Sequence, residues 1–188
     1  MWSDRKYTVL EQQVFEQKPY SIVPIRYEDR IEIMKWRNEQ IYHLRQNRPL
    51  TIEDQNTYFN TVVYDGFRDN NPKQILFSYM ETDKCIGYGG LVHINWKDKN
   101  AEVSFIMDTK LEEKYFQKHW LTFLSLIEDV AFMELKLHKI FVYAFDLRPH
   151  LYEALEKARY FMDARLAEHC FFNGAYKDVI IYSKINDK

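Results

Sequence analysis

The stretch from Asn100 to Phe145 constrains this chain more than any other, because it changes periodicity twice within a short span. Ala101, Val103, Phe105 and Met107 alternate with Glu102, Ser104 and Ile106, the period of a strand. A charged turn is predicted from Asp108 to Lys114. Phe116, Trp120, Phe123, Leu124, Ile127, Ala131 and Leu135 then recur at spacings of three and four, which predicts one long amphipathic helix. Lys139 to Phe145 is β-branched and aromatic and reads as a second strand. Strand, helix and strand in succession form a right-handed crossover. The amino end of such a helix lies beside the carboxyl end of a strand and offers unpaired N–H groups to an anion.

Around this unit the elements follow in order. A short strand is predicted at Tyr7–Leu10 and a better one at Tyr20–Arg26. A helix starts at Glu28 and Asp29, with Ile31, Met34, Ile41 and Trp36 on its apolar side and Trp36-Arg37-Asn38 closing it. Thr51 caps a second helix, with Asp54 completing a capping box, and Ile52, Gln55, Phe59 and Val62–Val63 carry it. Strands follow at Lys73–Glu81 and Lys84–Asn95, the latter holding Gly87, Gly89 and Gly90, which mark close backbone approaches. After the crossover, Pro149 opens a short helix that ends near Ala158. Phe161–Phe172 and Tyr176–Ile185 flank Asn173-Gly174, a hairpin signal.

Composition narrows the function classes. A chain of 188 residues is expected to form one domain, here 1–188 with residues 1–19 as an amino-terminal extension. A formal charge of −2 argues against a nucleic-acid or polybasic membrane surface. Met1 to Lys6 has no apolar signal core, and no run approaches the roughly 18 apolar residues of a membrane span. Cys85 and Cys170 sit in strand-like runs and are expected as free thiols, which suits the cytoplasm. The six histidines lack metal-ligand spacing, so no metal is expected.

Four landmarks in this order resemble the GNAT superfamily of acyl-CoA N-acyltransferases. They are Ile25-Arg26 with Lys35-Trp36-Arg37-Asn38, then Cys85 to Gly90, then Ala101 to Met107. Leu137-His138-Lys139-Ile140 with the hairpin Asn173 to Asp178 completes the set. The branch resembled includes amino-sugar-nucleotide and ribosomal-protein N-terminal acetyltransferases. The resemblance covers roughly residues 20–185 and implies an α/β (α+β) fold. Its sheet would be mixed, mostly antiparallel and twisted, with six to seven strands, helices on both faces and the fourth and fifth strands splayed.

The resemblance further implies attack of an amine on the thioester of acetyl-CoA. A backbone N–H within Phe105, Ile106 and Met107 would face the thioester oxygen. Lys114 and Lys118 would serve the cofactor's phosphates, and Arg148, at the position of a family asparagine, is a further cofactor-binding candidate. Three departures accompany it. The family's phosphate loop carries glycines, whereas Leu111 to His119 has none, and Glu112 and Glu113 stand there. Leu155 falls at the position of the family's tyrosine acid, leaving Tyr152 one turn away. Arg159 replaces a glycine that ends the following helix.

The catalytic candidates are Glu102 as general base, His93 on the neighbouring strand as second choice, and Tyr152 as acid. For Glu102 the bland alternative is a solvent-facing residue paired with Lys99 or Lys97. Trp36, Arg37, Asn38 and Tyr88 are candidates for the acceptor pocket, with core packing and helix capping as the alternatives. The expected partner is a small-molecule amine, with the chain a monomer or homodimer and no nucleic acid or membrane involved. The rival expectation is a GNAT-fold binding or interaction module without acyltransfer activity.

Overall fold

The computed structural model describes residue 2 and residues 5–187. Eight strands form one sheet: β1 (Phe15–Gln17), β2 (Tyr20–Pro24), β3 (Ile75–Glu81), β4 (Lys84–Asn95), β5 (Asn100–Met107), β6 (Lys139–Phe145), β7 (Phe161–Phe172) and β8 (Ala175–Ile185), in the order β1-β2-β3-β4-β5-β6-β8-β7. Among the described residues, four α-helices of seven or more residues accompany them: α1 (Arg30–Glu39), α2 (Ile52–Tyr58), α3 (Thr109–Glu128) and α4 (Pro149–Lys157). Among the described residues, only β5 and β6 pair in parallel. The extra strand is β1, formed where a polar connection was expected, so the splayed pair is β5 and β6.

The parting of those two strands positions everything else. They pair at Asn100–Lys139, Ala101–Ile140 and Glu102–Phe141 and no further. Beyond that point β5 stays with β4 as far as Met107–Gly87, while β6 follows β8 to Phe145–Val179. Phe105 on one face of β5 stacks on Phe123 of α3, ring centroids 4.0 Å apart. On the other face Tyr88, which pairs with Ile106, accepts from Arg37 of α1 at 2.6 Å. Helices thus cover both faces, and the gap between β5 and β6 passes between the two layers.

Several sequence expectations need correction. Tyr7–Leu10 is a turn rather than a strand. The Tyr7 hydroxyl brackets Leu76, donating to its carbonyl at 2.9 Å and accepting from its N–H at 2.8 Å, so a side chain supplies the pairing. The buried side of α1 is Ile33 and Trp36, with Ile31 and Met34 half-buried. In α2 and the π-helical turn Phe59–Val63 that continues it, Gln55, Phe59 and Val63 are buried while Ile52 and Val62 are exposed. The charged segment after β5 is helical from Thr109, because the Asp108 side chain accepts from the Lys110 N–H at 2.9 Å. The helix then breaks at Tyr115 (φ −132°, ψ 23°).

Other local signals hold. Thr51 and Asp54 form the reciprocal capping box, at 3.1 and 2.8 Å. Asn173 and Gly174 both take positive φ in the β7–β8 turn. Arg159 adopts φ 63°, the left-handed conformation expected of a helix-ending glycine, without being one. Cys85 and Cys170 are free. Among the described residues, no helix is long and apolar enough to cross a membrane.

Gly89 is required where β4 passes under α3. A Cβ there would lie 2.2 Å from the Ser104 carbonyl oxygen and 2.8 Å from Cζ of Phe123. Gly89→Ala is therefore expected to destabilise the fold by about 3 kcal/mol or more, the range of severe overpacking. Urea denaturation measures it, and a loss under about 1 kcal/mol would show that the sheet absorbs the methyl group.

Candidate functional site

The gap between β5 and β6 opens into a cleft of about 80 Å³. Glu102 to Ile106 form one wall and Val142 to Phe145 the other, while Trp120, Arg148 and Leu151 close the α3–α4 side and His43 to Arg45 the α1 side. Glu102 stands at the fork and is only 5% exposed. Its bland alternative fails, since neither Lys97 nor Lys99 is its partner. The Arg45 guanidinium donates to Oε1, and Nδ1 of His93 lies 2.8 Å from Oε2. A register shift in β4 between Val92 and Asn95, with His93 at φ 51°, brings that ring to the carboxylate. Arg45 also lies over the Tyr143 ring, 4.7 Å from its centroid.

A second ion pair sits at the α3 end. Arg148, the residue before α4, donates to Oε1 of Glu112 at 3.2 Å, and both side chains are about nine-tenths buried. His43 Nε2 lies 3.3 Å from the same Arg148 nitrogen, and the Tyr42 hydroxyl donates to Glu112 at 3.3 Å. Burial, then the Arg148 charge, pulls His43 down to about 3, so it is neutral near pH 7 and can accept from Arg148. Of the two acidic residues in the glycine-free segment, Glu112 turns inward to this cation and Glu113 is exposed.

The remaining candidates divide. Phe105 and Ile106 line the cleft. Met107 does not, and its carbonyl accepts from Gln40 at 2.8 Å. Lys114 is exposed, and Lys118 turns to the Tyr20 ring, 5.1 Å from its centroid. Tyr152 does not line the cleft: its hydroxyl donates to Asp146 at 2.9 Å and its ring stacks on Tyr182.

On the α1 side, Arg37 and Tyr88 line a second hollow with Ile33, Leu50, Gln55 and Tyr58. Trp36 is core, 3% exposed. Asn38 pins the loop before α2 through the Leu50 backbone, accepting at 2.7 Å and donating at 2.9 Å. His43, Arg45 and Tyr143 were not foreseen. Arg45 lies in a segment that reads only as a break, and no local pattern ties it to Glu102, 57 positions away. Among the described residues, no group of three or more His, Cys, Asp or Glu could hold a metal ion.

Comparison with known proteins agrees with this geometry. Residues 22–180 match the family model described as an acetyltransferase (GNAT) domain. No curated protein sequence matches the chain. Among solved structures, a spermidine N-acetyltransferase from Vibrio cholerae in complex with CoA and spermine superposes with a TM-score of 0.80. It has 20% identity over 92% of this chain and 98% of that one. A dodecameric structure of spermidine N-acetyltransferase from the same organism in an intermediate state gives 0.75 at 21% identity, over 92% and 96%. At such identities the likeness is one of fold.

A histidine whose folded-state pKa lies below its unfolded value stabilises the protein fully above its unfolded pKa. That stability is lost as the pH falls toward the folded pKa, because the unfolded chain then binds a proton the folded one refuses. For His43 the window runs from about 6.5 down to about 3. His119 and His150 are also lowered, chiefly by burial, and act in the same direction. Melting temperature is expected to drop as pH falls through this window, and His43→Gln should flatten part of the slope. An unchanged slope would mean that His43 is protonated without cost.

Proposed function

We propose that this chain, which belongs to the acetyltransferase (GNAT) domain family, transfers the acetyl group of acetyl-CoA directly to the nitrogen of a small amine. The observation that carries this reading is the buried carboxylate of Glu102 at the fork of two parting strands. Acetyl-CoA would supply an activated acetyl thioester. The rest is assigned to this chain's residues. Glu102 takes the proton from the acceptor's ammonium group, directly or through one water. The β5 edge, unpaired on its β6 side beyond Glu102, would offer the Phe105 backbone N–H toward the thioester oxygen, since the N–H of Ile106 faces β4. The new C–N bond forms as the C–S bond breaks, the thiolate leaves, and the second proton shed by the acceptor nitrogen ends on that sulfur through solvent. A thiol with an ordinary pKa near 8.5 is a tolerable leaving group near neutral pH, so Tyr152 is not required as its acid. Amino-sugar nucleotides fall within the acceptor class proposed.

The donor side fits a phosphorylated arm in part. Arg148 is a buried cation facing the cleft, and the break at Tyr115 interrupts α3 where the family's loop carries glycine. Glu112 opposes this, since its carboxylate already holds Arg148 and a phosphate must compete with it. That contact is also what favours the second reading, a binding module without acyltransfer.

Titration calorimetry with acetyl-CoA separates the two readings. Binding in the micromolar-to-millimolar range is expected, and Glu112→Gln should tighten it by removing the competing charge. Absence of both heat and thermal shift at millimolar acetyl-CoA, in the parent and in the variant, would leave the module.

The assignment of the base has its own test. Glu102→Gln is expected to lower turnover about 10²-fold, the lower end for a positioned acid or base. Tyr152→Phe should change it less than about threefold, since its hydroxyl is engaged by Asp146. Thiol release from acetyl-CoA measures both, and full activity in Glu102→Gln across pH 6–9 would remove this residue from the mechanism.

A further inference from the structure

The charges around Glu102 bear on which amines the cleft can take. This step rests on the acetyltransfer reading and deepens it. Four of the lining residues carry or can carry charge: His43, Arg45, Glu102 and Arg148. Glu102 is the only carboxylate among them, and both of its oxygens are already engaged, one by Arg45 and one by His93. Arg148 is matched by Glu112. The second hollow adds Arg37 and Asp54, but Arg48 clamps the Asp54 carboxylate through two nitrogens, at 2.6 and 2.9 Å. Each Glu102 oxygen keeps one lone pair, which suffices for the reacting nitrogen, and the lining has no further unpaired carboxylate for a second ammonium group. A polycation with one nitrogen at Glu102 would put its next charge against Arg45.

Arg45 itself has capacity to spare. Its side chain is 48% exposed, and among the described residues one of its five N–H donors is used, on Glu102. The guanidinium is held in place by that contact and by the Tyr143 ring. His93 is 65% exposed and, among the described residues, uses only Nδ1, leaving Nε2 on the same rim. A planar guanidinium held rigidly with outward donors matches phosphate or carboxylate oxygens two at a time. Such an anion on the outer edge of Arg45 would stand within a short aminoalkyl chain of Glu102.

We propose that the acceptor is an amine bearing a phosphate or carboxylate a few bonds from its nitrogen, with Arg45, assisted by His93, holding the anion while Glu102 receives the amine. Arg45 is then a specificity-determining residue, and polyamines are poor substrates.

The test uses paired acceptors that differ only in the anion: O-phosphoethanolamine against ethanolamine, and glucosamine 6-phosphate against glucosamine, with spermidine as the polycation. Thiol release at saturating acetyl-CoA gives kcat/KM for each. At least one phosphorylated amine is expected to exceed its neutral partner and spermidine by about tenfold, the scale of one charge-assisted hydrogen bond. Arg45→Gln should abolish that preference through the acceptor KM, and Arg45→Lys should retain part of it. Because Arg45 also touches Glu102, Arg45→Gln could alter the base itself. That effect would change the phosphorylated and neutral acceptors equally, whereas loss of the anion contact changes only the former. Spermidine turned over faster than both phosphorylated amines would overturn the proposal while leaving acetyltransfer intact. So would turnover of neither phosphorylated amine by protein that binds acetyl-CoA, or a preference unchanged in Arg45→Gln. Failure to bind acetyl-CoA at all would remove both readings together.

Discussion

The sheet parts between β5 and β6, each of which is bonded over a longer stretch to its other neighbour. After three pairs, β5 continues with β4 to Met107 while β6 continues with β8 to Phe145. Each jaw is then locked by a helix. Phe105 stacks on Phe123 of α3 on the β5 side, and Tyr182 of β8 stacks on Tyr152 and donates to Glu156 of α4 on the other. The strand edges exposed by the parting would be a liability in a closed sheet, because unpaired backbone groups are costly to bury. Here they line the cleft, so the same constraint that breaks the sheet supplies hydrogen-bonding groups to a ligand.

The cleft is bounded at each end by a carboxylate neutralised from a distant part of the chain. Glu102 takes Arg45 and His93 on the α1 face, and Glu112 takes Arg148 on the α3–α4 side with His43 beside it. Burying a charge without a partner is expensive, and each carboxylate has an arginine beside it. Both arginines come from segments just outside a helix, Arg45 from the loop after α1 and Arg148 from the residue before α4. The Glu102 pair leaves a half-exposed guanidinium with free donors, whereas the Glu112 pair is nearly sealed. That asymmetry is the basis for assigning the anion-binding role proposed above to the first end rather than the second.

Much of the architecture was legible because it follows from local chemistry. The alternation in Ala101–Met107, the helical spacing from Phe116 onward, the Thr51–Asp54 box and the Asn173–Gly174 turn each act within a few residues, and each appears where the residues predict it. Where the strand reading of Tyr7–Leu10 failed, a long-range contact won: Tyr7 serves the sheet through its hydroxyl. Trp36 packs in the core, and Tyr152 is bonded to Asp146 and stacked on Tyr182.

The sequence by itself determined the order of elements, the fold family and the residue types available at the fork, Glu102 among them. Only the tertiary structure decided that Glu102 is buried, that Arg45 and His93 are its partners, and that Glu112 rather than Glu113 meets Arg148. Periodicity and capping are properties of neighbours along the chain and survive in a string of letters. The pairing of charges across 57 and 36 positions depends on how loops and helix ends fold back over the parted strands, and no local pattern encodes that distance.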